Sequence, residues 1–151
     1  LAHSDKLREL GIALPAVPPP AGSYVPARRS GSLVFTAGQV PIVDGKVAAT
    51  GKVGAEVSAE DAYGLARACA LNALAAVDAL VGIDSITAVI KVVGFVASAP
   101  GFNGQPKVIN GASDLLGEVF GEAGLHARSA VGVAELPLDV PVEVELIVEV
   151  A

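Results

Sequence analysis

The segment Ile86–Ala97, ITAVIKVVGFVA, constrains the fold more than any other part of the chain. β-Branched and aromatic residues favour strands, and an apolar run without alternation reads as a central strand buried on both faces. Such a strand needs other layers to cover it. The preceding segment supplies one. Ser58-Ala-Glu-Asp61 opens a helix, with Ser58 as cap and Asp61 at N3 as a capping-box variant. The helix should run to about Val81, with Gly82 as its stop. At ~100° per residue, Leu65, Cys69, Ala73, Leu74, Ala76, Val77, Leu80 and Val81 gather on one side, with Arg67 and Asp78 opposite. Its many alanines allow close approach to whatever it covers.

The other elements follow from local patterns. Ser4–Gly11 reads as a short helix capped by Ser4, followed by the proline-rich stretch Leu14–Pro20, which should be extended. Tyr24–Arg28 and Ser32–Val40 read as strands, and Asp44-Gly45 between short apolar runs signals a hairpin. Lys107–Glu122 reads as a second helix closed by Gly124, and Ala127–Glu135 and Val140–Val150 as strands. In the last, Val142, Val144, Leu146, Val148 and Val150 share one face, and Glu143, Glu145, Ile147 and Glu149 the other. The order β-β-β-α-β-α-β-β predicts an α+β two-layer sandwich, a mixed sheet with two helices on one face. Residues 1–22 form an N-terminal helix and arm, and 23–151 a single domain. A chain of 151 residues with 52% hydrophobic and 17% charged residues suits one core and excludes a disordered protein.

Charge narrows the function classes. The net charge is −6, and no secretory leader is evident in Leu1–Leu10. The most apolar stretch, Ala62–Ile83, is interrupted by Arg67, Asn72 and Asp78, which speaks against a membrane span. Together these features point to a soluble cytoplasmic protein. Nucleic-acid binding is disfavoured, because Arg28-Arg29 is the only basic cluster. The single cysteine, Cys69, lies on the buried helix face and reads as an inert core thiol, and the lone histidines His3 and His126 make no metal site. No cofactor fingerprint is present.

Residues 108–151 hold eight acids and one base, Arg128. On its strand Arg128 shares a face with Ala130, Gly132 and Ala134, a floor of small residues with room for a ligand or another chain. Its fork suits a carboxylate, so it is either a ligand anchor or one half of a structural ion pair. Glu143, Glu145 and Glu149 form either a solvated sheet face or include one group that handles a proton or a water. Tyr24, Gln39 and Asn110 are polar groups at element edges.

An ordered set of segments resembles the Rid family, also called YjgF-like or endoribonuclease L-PSP, whose fold is similar to chorismate mutase. The segments are VFTAGQVP (34–41), LNAL (71–74), IKVVGFV (90–96), VIN (108–110), HARSAV (126–131), ELP (135–137) and VEVE (142–145). The pieces LPAVPPPAGSYVP and SAPGFNGQPKVINGASDLL resemble a branch with a longer N-terminus.

The resemblance implies a homotrimer with its sheets facing inward and ligand clefts between adjacent subunits. It implies that Arg128 grips a substrate carboxylate, that Glu143 positions or activates water, and that Tyr24, Gly38 and Asn110 shape the cleft. The activity it implies is hydrolysis of small 2-imino or 2-enamino acids to 2-keto acids and ammonia, without metal or cofactor. The alternatives are a non-catalytic sensor of small carboxylates and, from the family's other label, an endoribonuclease. Three positions depart from the family pattern: His126 stands for a usual proline, Ala37 for a frequent serine and Ala130 for a frequent cysteine.

Overall fold

The computed structural model describes residues 1–151. Its main sheet has five strands: β1 (Ala27–Ser30), β2 (Leu33–Thr36), β5 (Ile86–Ala97), β6 (Ala127–Val133) and β7 (Val142–Val150), in the order β1-β2-β7-β5-β6. Only the β5–β6 pair is parallel, and helix α3 (Gln105–Phe120) makes the crossover between them. A separate hairpin, β3 (Ile42–Val43) with β4 (Lys46–Val47), turns at Asp44-Gly45. Both turn residues have positive φ, 51° and 77°. That is the type I′ requirement which makes Asp-Gly favourable.

Helices α2 (Ala59–Val81) and α3 lie together on one face of the sheet. Ser58 caps α2, its hydroxyl accepting the Asp61 amide at 3.1 Å. Gly82, at φ 83°, ends it. By length and composition α2 could also cross a bilayer, but its packing against the sheet and α3 makes it the core helix of the domain. Its buried stripe runs through Ala62, Ala66, Cys69, Ala73 and Val77, whereas Leu80 is exposed and Leu65 only half-buried. Of the predicted face, Cys69, Ala73, Leu74, Ala76 and Val77 are buried, and the buried side extends to Ala62 and Ala66 in place of Leu65 and Leu80.

The tightest contact is between the helices. A methyl on Gly111 of α3 would overlap the Tyr63 carbonyl and lie 3.3 Å from Ala66 Cβ. Gly94 of β5 likewise makes room for Ile109, whose Cγ2 lies 2.7 Å from where a methyl would stand.

β5 is therefore not buried on both faces, as its composition predicts. Ile86, Val89, Val92 and Val96 are buried under the helices, while Val93 and Phe95 are only half-covered. The reason is that both helices pack on the same side. The alternation predicted for β7 holds: its five apolar positions from Val142 to Val150 are buried, and Glu143, Glu145, Ile147 and Glu149 take the open face.

Several boundaries differ. The first strand lies at Ala27–Ser30 rather than Tyr24–Arg28: the Pro26 carbonyl still accepts the Ala37 amide in register, but Pro26 has no N–H to carry the ladder further. Strand β2 stops at Thr36 instead of continuing to Val40. One residue more is used on that side between the Phe35–Ile147 and Gln39–Val144 pairs, a bulge in which the Thr36 hydroxyl accepts the Leu146 amide at 2.9 Å. Helix α1 spans His3–Glu9, with Ala2 and not Ser4 as its cap. Ser4 instead gives its amide and hydroxyl to Asp84 at 2.8 and 2.7 Å. His3 donates to the Ile86 carbonyl at 2.8 Å, and Leu7 is buried, so α1 is docked on the domain.

One substitution should have opposite signs at two positions of α3. Gly111→Ala overpacks the helix crossing and is expected to cost about 1–3 kcal/mol. Gly117→Ala, with nothing within 4 Å of the added methyl, should stabilise by about 0.5–1 kcal/mol through helix propensity. Urea unfolding midpoints of the two variants check the pair.

Candidate functional site

The bulge after β2 is the first half of the site. Here Gly38 lies against Glu143 of β7, and a methyl on Gly38 would overlap the carboxylate, 2.8 Å from its Cδ. The wall beyond Gly38 is held by α2. Asn72, fully buried, donates from Nδ2 to the carbonyls of Val40 and Ile42 at 3.0 and 3.1 Å. Around Glu143 opens a cavity of about 480 Å³ lined by Pro18, Pro19, Pro20, Ala21, Tyr24, Pro26, Ala37, Gly38, Gln39, Val40, Ile42, Pro137 and Leu138. Burial first, and the Glu145 charge second, raise the Glu143 carboxyl above its ordinary value.

The second half is built on α3 and β6. Arg128 points to the helix-covered side. Its Nη1 donates to Asn110 Oδ1 at 2.8 Å and to Ser113 Oγ at 3.1 Å, and Nη2 donates to the Pro106 carbonyl at 3.3 Å. His126 extends the network: Nδ1 lies 2.6 Å from the Gly124 carbonyl and Nε2 2.9 Å from Ser113 Oγ. A carbonyl only accepts, so Nδ1 carries the proton, and Nε2 of the neutral ring receives the serine hydroxyl proton. Every partner of Arg128 is neutral, and none of the chain's ion pairs includes it. The structural ion pair is thereby excluded within the chain. Nε–H and one Nη2–H are left unused, enough for a two-point grip on a carboxylate.

The two halves do not meet in one chain. Arg128 stands opposite Val92, which faces the helices, while Glu143 stands opposite Phe95 on the open face. Strand β5 runs between their strands. Of the five predicted site residues, Tyr24, Gly38 and Glu143 share the cavity, and Asn110 and Arg128 share the α3–β6 cluster. On the small floor beside Arg128, Gly132 and Ala134 are exposed, and a methyl on Gly132 would lie 2.8 Å from Gln105 Nε2 and 3.0 Å from Ser98 Oγ. The sequence reading missed Ser113, although it stands one helical turn beyond Asn110, a spacing that puts both on one face. It also missed the proline arm and Leu138 as cavity wall. Cys69 is buried, and burial pushes its thiol well up, as an inert core thiol requires.

Comparison with known proteins adds the family. The one described as "YjgF/chorismate mutase-like, putative endoribonuclease" matches residues 4–150. The chain belongs to this family. Among YjgF-like relatives, Protein TCP17 of Trypanosoma cruzi is 44% identical over 145 residues, covering 95% of this chain and 91% of that protein. The crystal structure of Atu1372 from Agrobacterium tumefaciens shares 47% identity at a TM-score of 0.90, covering 99% of this chain and 92% of that one. Escherichia coli TdcF, in a structure with bound serine, shares 28% identity at a TM-score of 0.67, covering 89% and 94%. The YjgF-like, chorismate-mutase-like fold read from the ordered segments is thus the fold of this chain.

The raised Glu143 carboxyl has a sign that can be tested. A value higher in the folded than in the unfolded chain means that folding favours the protonated acid. The stabilising contribution is therefore full below the ordinary glutamate pKa of about 4.3, and it is lost as pH rises through the raised value. Glu143→Gln, neutral at every pH, should raise the unfolding midpoint at neutral pH and leave it unchanged in acid. Thermal unfolding as a function of pH measures this.

Proposed function

We propose that the protein hydrolyses small 2-imino or 2-enamino acids to 2-keto acids and ammonia, in clefts formed between subunits of a homotrimer. The observation that carries this reading is the Arg128 guanidinium, half-buried and held in place by neutral acceptors, with unused N–H groups and no carboxylate of its own chain to neutralise it. A fork kept in that state suits a small carboxylate ligand. The serine bound to TdcF is a small carboxylate-bearing molecule in a protein of the same family.

The chemistry asks little more. Arg128 holds the substrate carboxylate, and Asn110 and Ser113 orient the fork. The imine carbon is already electrophilic, so what remains is a positioned water. Glu143, ionised, takes a proton from that water as its oxygen adds to the C=N carbon. The C=N π electrons move to nitrogen, which is protonated. Glu143 gives that first proton to the nitrogen, then takes the hydroxyl proton of the carbinolamine and passes it to the amine, so that as the carbonyl forms the C–N bond breaks and nitrogen leaves as ammonia. Tyr24 and Gly38 shape the Glu143 side. No cofactor enters this sequence.

Because a sheet separates Arg128 from Glu143, a working cleft must combine Arg128 of one copy with Glu143 of another. The open sheet face supports such assembly. Phe35 and Val131 are exposed there at 42% and 44%, beside half-buried Val93, Phe95 and Ile147. A face of that kind calls for a covering surface, and the sheets of two further copies would provide it. The family's endoribonuclease label is the competing reading. It is opposed by the net charge of −6 and by a sequence whose one basic cluster is the pair Arg28-Arg29.

The test is release of ammonia or keto acid from an imino acid generated enzymatically in the assay. Arg128→Ala and Glu143→Gln should each lower kcat/KM about 100-fold or more. Unfolding the two variants together and refolding them as mixed trimers should restore roughly a quarter of the wild-type rate, because only some clefts then pair two intact residues. If Arg128 and Glu143 of the same chain served one cleft, mixing would restore nothing. Tight keto-acid binding without turnover would favour the sensor reading instead.

A separate check is the pH profile. The acidic limb of kcat/KM should lie above the ordinary glutamate value, because the catalytic form of Glu143 is the carboxylate, and it should vanish in Glu143→Gln.

A further inference from the structure

We infer that the cavity beside Glu143 is a side-chain pocket that selects imino acids carrying a branched aliphatic or aromatic group, a specificity that rests on the deaminase reading of the same site. At about 480 Å³ the cavity is far larger than a methyl side chain requires. Its only charged lining group is Glu143.

One part of the cavity lining is unusual in its chemistry. Pro18, Pro19 and Pro20 contribute no N–H donors, so this side of the cavity offers a ligand rings and little polarity. A run of prolines is also stiff, which makes the wall preformed. It is tied at both ends. Upstream, α1 is docked through His3, Ser4 and the buried Leu7. Downstream, the Pro26 carbonyl accepts the Ala37 amide at 2.8 Å as the chain enters β1.

A second observation lies on the other rim. Leu138 and Asp139 both hold left-handed backbone, with φ 61° and 57°. This conformation costs free energy for any residue other than glycine and clusters at functional sites. The turn is fastened where the Asp139 carbonyl accepts the Gly51 amide at 2.9 Å. Its effect is to hold Leu138, 58% exposed, at the cavity mouth. A large apolar side chain kept solvent-facing by a strained turn, in the same cavity lining as the three prolines, provides a contact for another apolar group. The Glu143 carboxylate in the same space works against ligands whose side chain is itself acidic.

The experiment compares imino acids generated in situ by an amino-acid oxidase from alanine, leucine, phenylalanine and glutamate, using the assembled full-length protein. The leucine- and phenylalanine-derived substrates should have kcat/KM at least about tenfold above the alanine-derived one, with the glutamate-derived substrate lowest. Leu138→Ala should lower the first two severalfold and the alanine-derived rate by less, so that the ratio between them narrows. Calorimetry with the stable 2-keto acids bearing isobutyl and methyl side chains gives a readout independent of turnover. Equal kcat/KM across the series, or a preference for the methyl or acidic side chain, overturns the pocket and leaves the deaminase reading standing. No turnover of any imine, with isobutyl keto acid bound more tightly than the methyl compound in wild type but not in Leu138→Ala, supports the pocket and overturns the deaminase reading.

Discussion

The rest of the structure depends on how closely two helices approach each other and one side of the sheet. Gly111 lets the Tyr63 carbonyl of α2 come against the backbone of α3, and Gly94 lets Ile109 settle onto β5. With small residues at these crossings, both helices fit on the same face, and the alanine stripe of α2 fills a thin layer between them. A five-stranded sheet covered in this way buries one face and leaves the other without a helix of its own chain. The core is satisfied, but the surface is not, because an apolar strand such as β5 still presents Val93 and Phe95 on the uncovered side.

That asymmetry determines the electrostatics of the site. Glu143 sits on the open face, where a partial covering of apolar groups removes water from its carboxylate and raises its proton affinity. Arg128 sits on the covered face at the sheet margin, where α3 supplies amide, hydroxyl and carbonyl acceptors but no carboxylate. Were the two groups on one face and neighbouring strands, they would neutralise each other as an ion pair, and neither would be free for a ligand. The sheet keeps them apart within the chain, so that neither neutralises the other. The charge segregation visible in the sequence, eight acids and one base after residue 107, is thus sorted by faces of a sheet rather than by distance along the chain.

What could be read from the sequence follows from which interactions are local. The alternation of Val142–Val150, the Ser58 cap and the Asp44-Gly45 turn depend on neighbours a few residues away, and each is found where the pattern places it. Features that depend on distant partners were misread. Ser4 has the right chemistry for a cap, but Asp84, eighty residues on, takes its hydroxyl. Continuous apolarity in β5 could not say that one of its faces lacks a helix. The bulge that ends β2 at Thr36 arises from a side chain taking over a backbone partner on β7. For the site, the residue types of Arg128 and Glu143 were legible from charge and resemblance, but the sheet face each occupies came only from the strand register.

The proline arm shows how a segment with little folding information of its own can matter at a site. Without N–H groups, Pro18–Pro20 cannot join a sheet edge or a helix, and so cannot extend the fold in either of its layers. It can lie along an apolar wall and remain there if its ends are held, which α1 and the Pro26 carbonyl bonded to the Ala37 amide accomplish. The contribution of α1 is then larger than its seven residues suggest. Each contact between α1 and the domain also fixes the far wall of the Glu143 cavity, and the Asp84 carboxyl that receives Ser4 is held below its usual range by those same hydrogen bonds. The cavity floor comes from the bulge and Asn72, its rim from a strained turn, and its roof from a tethered arm. Three parts of the chain with no sequence similarity to one another converge because each is anchored separately to the helix-covered sheet.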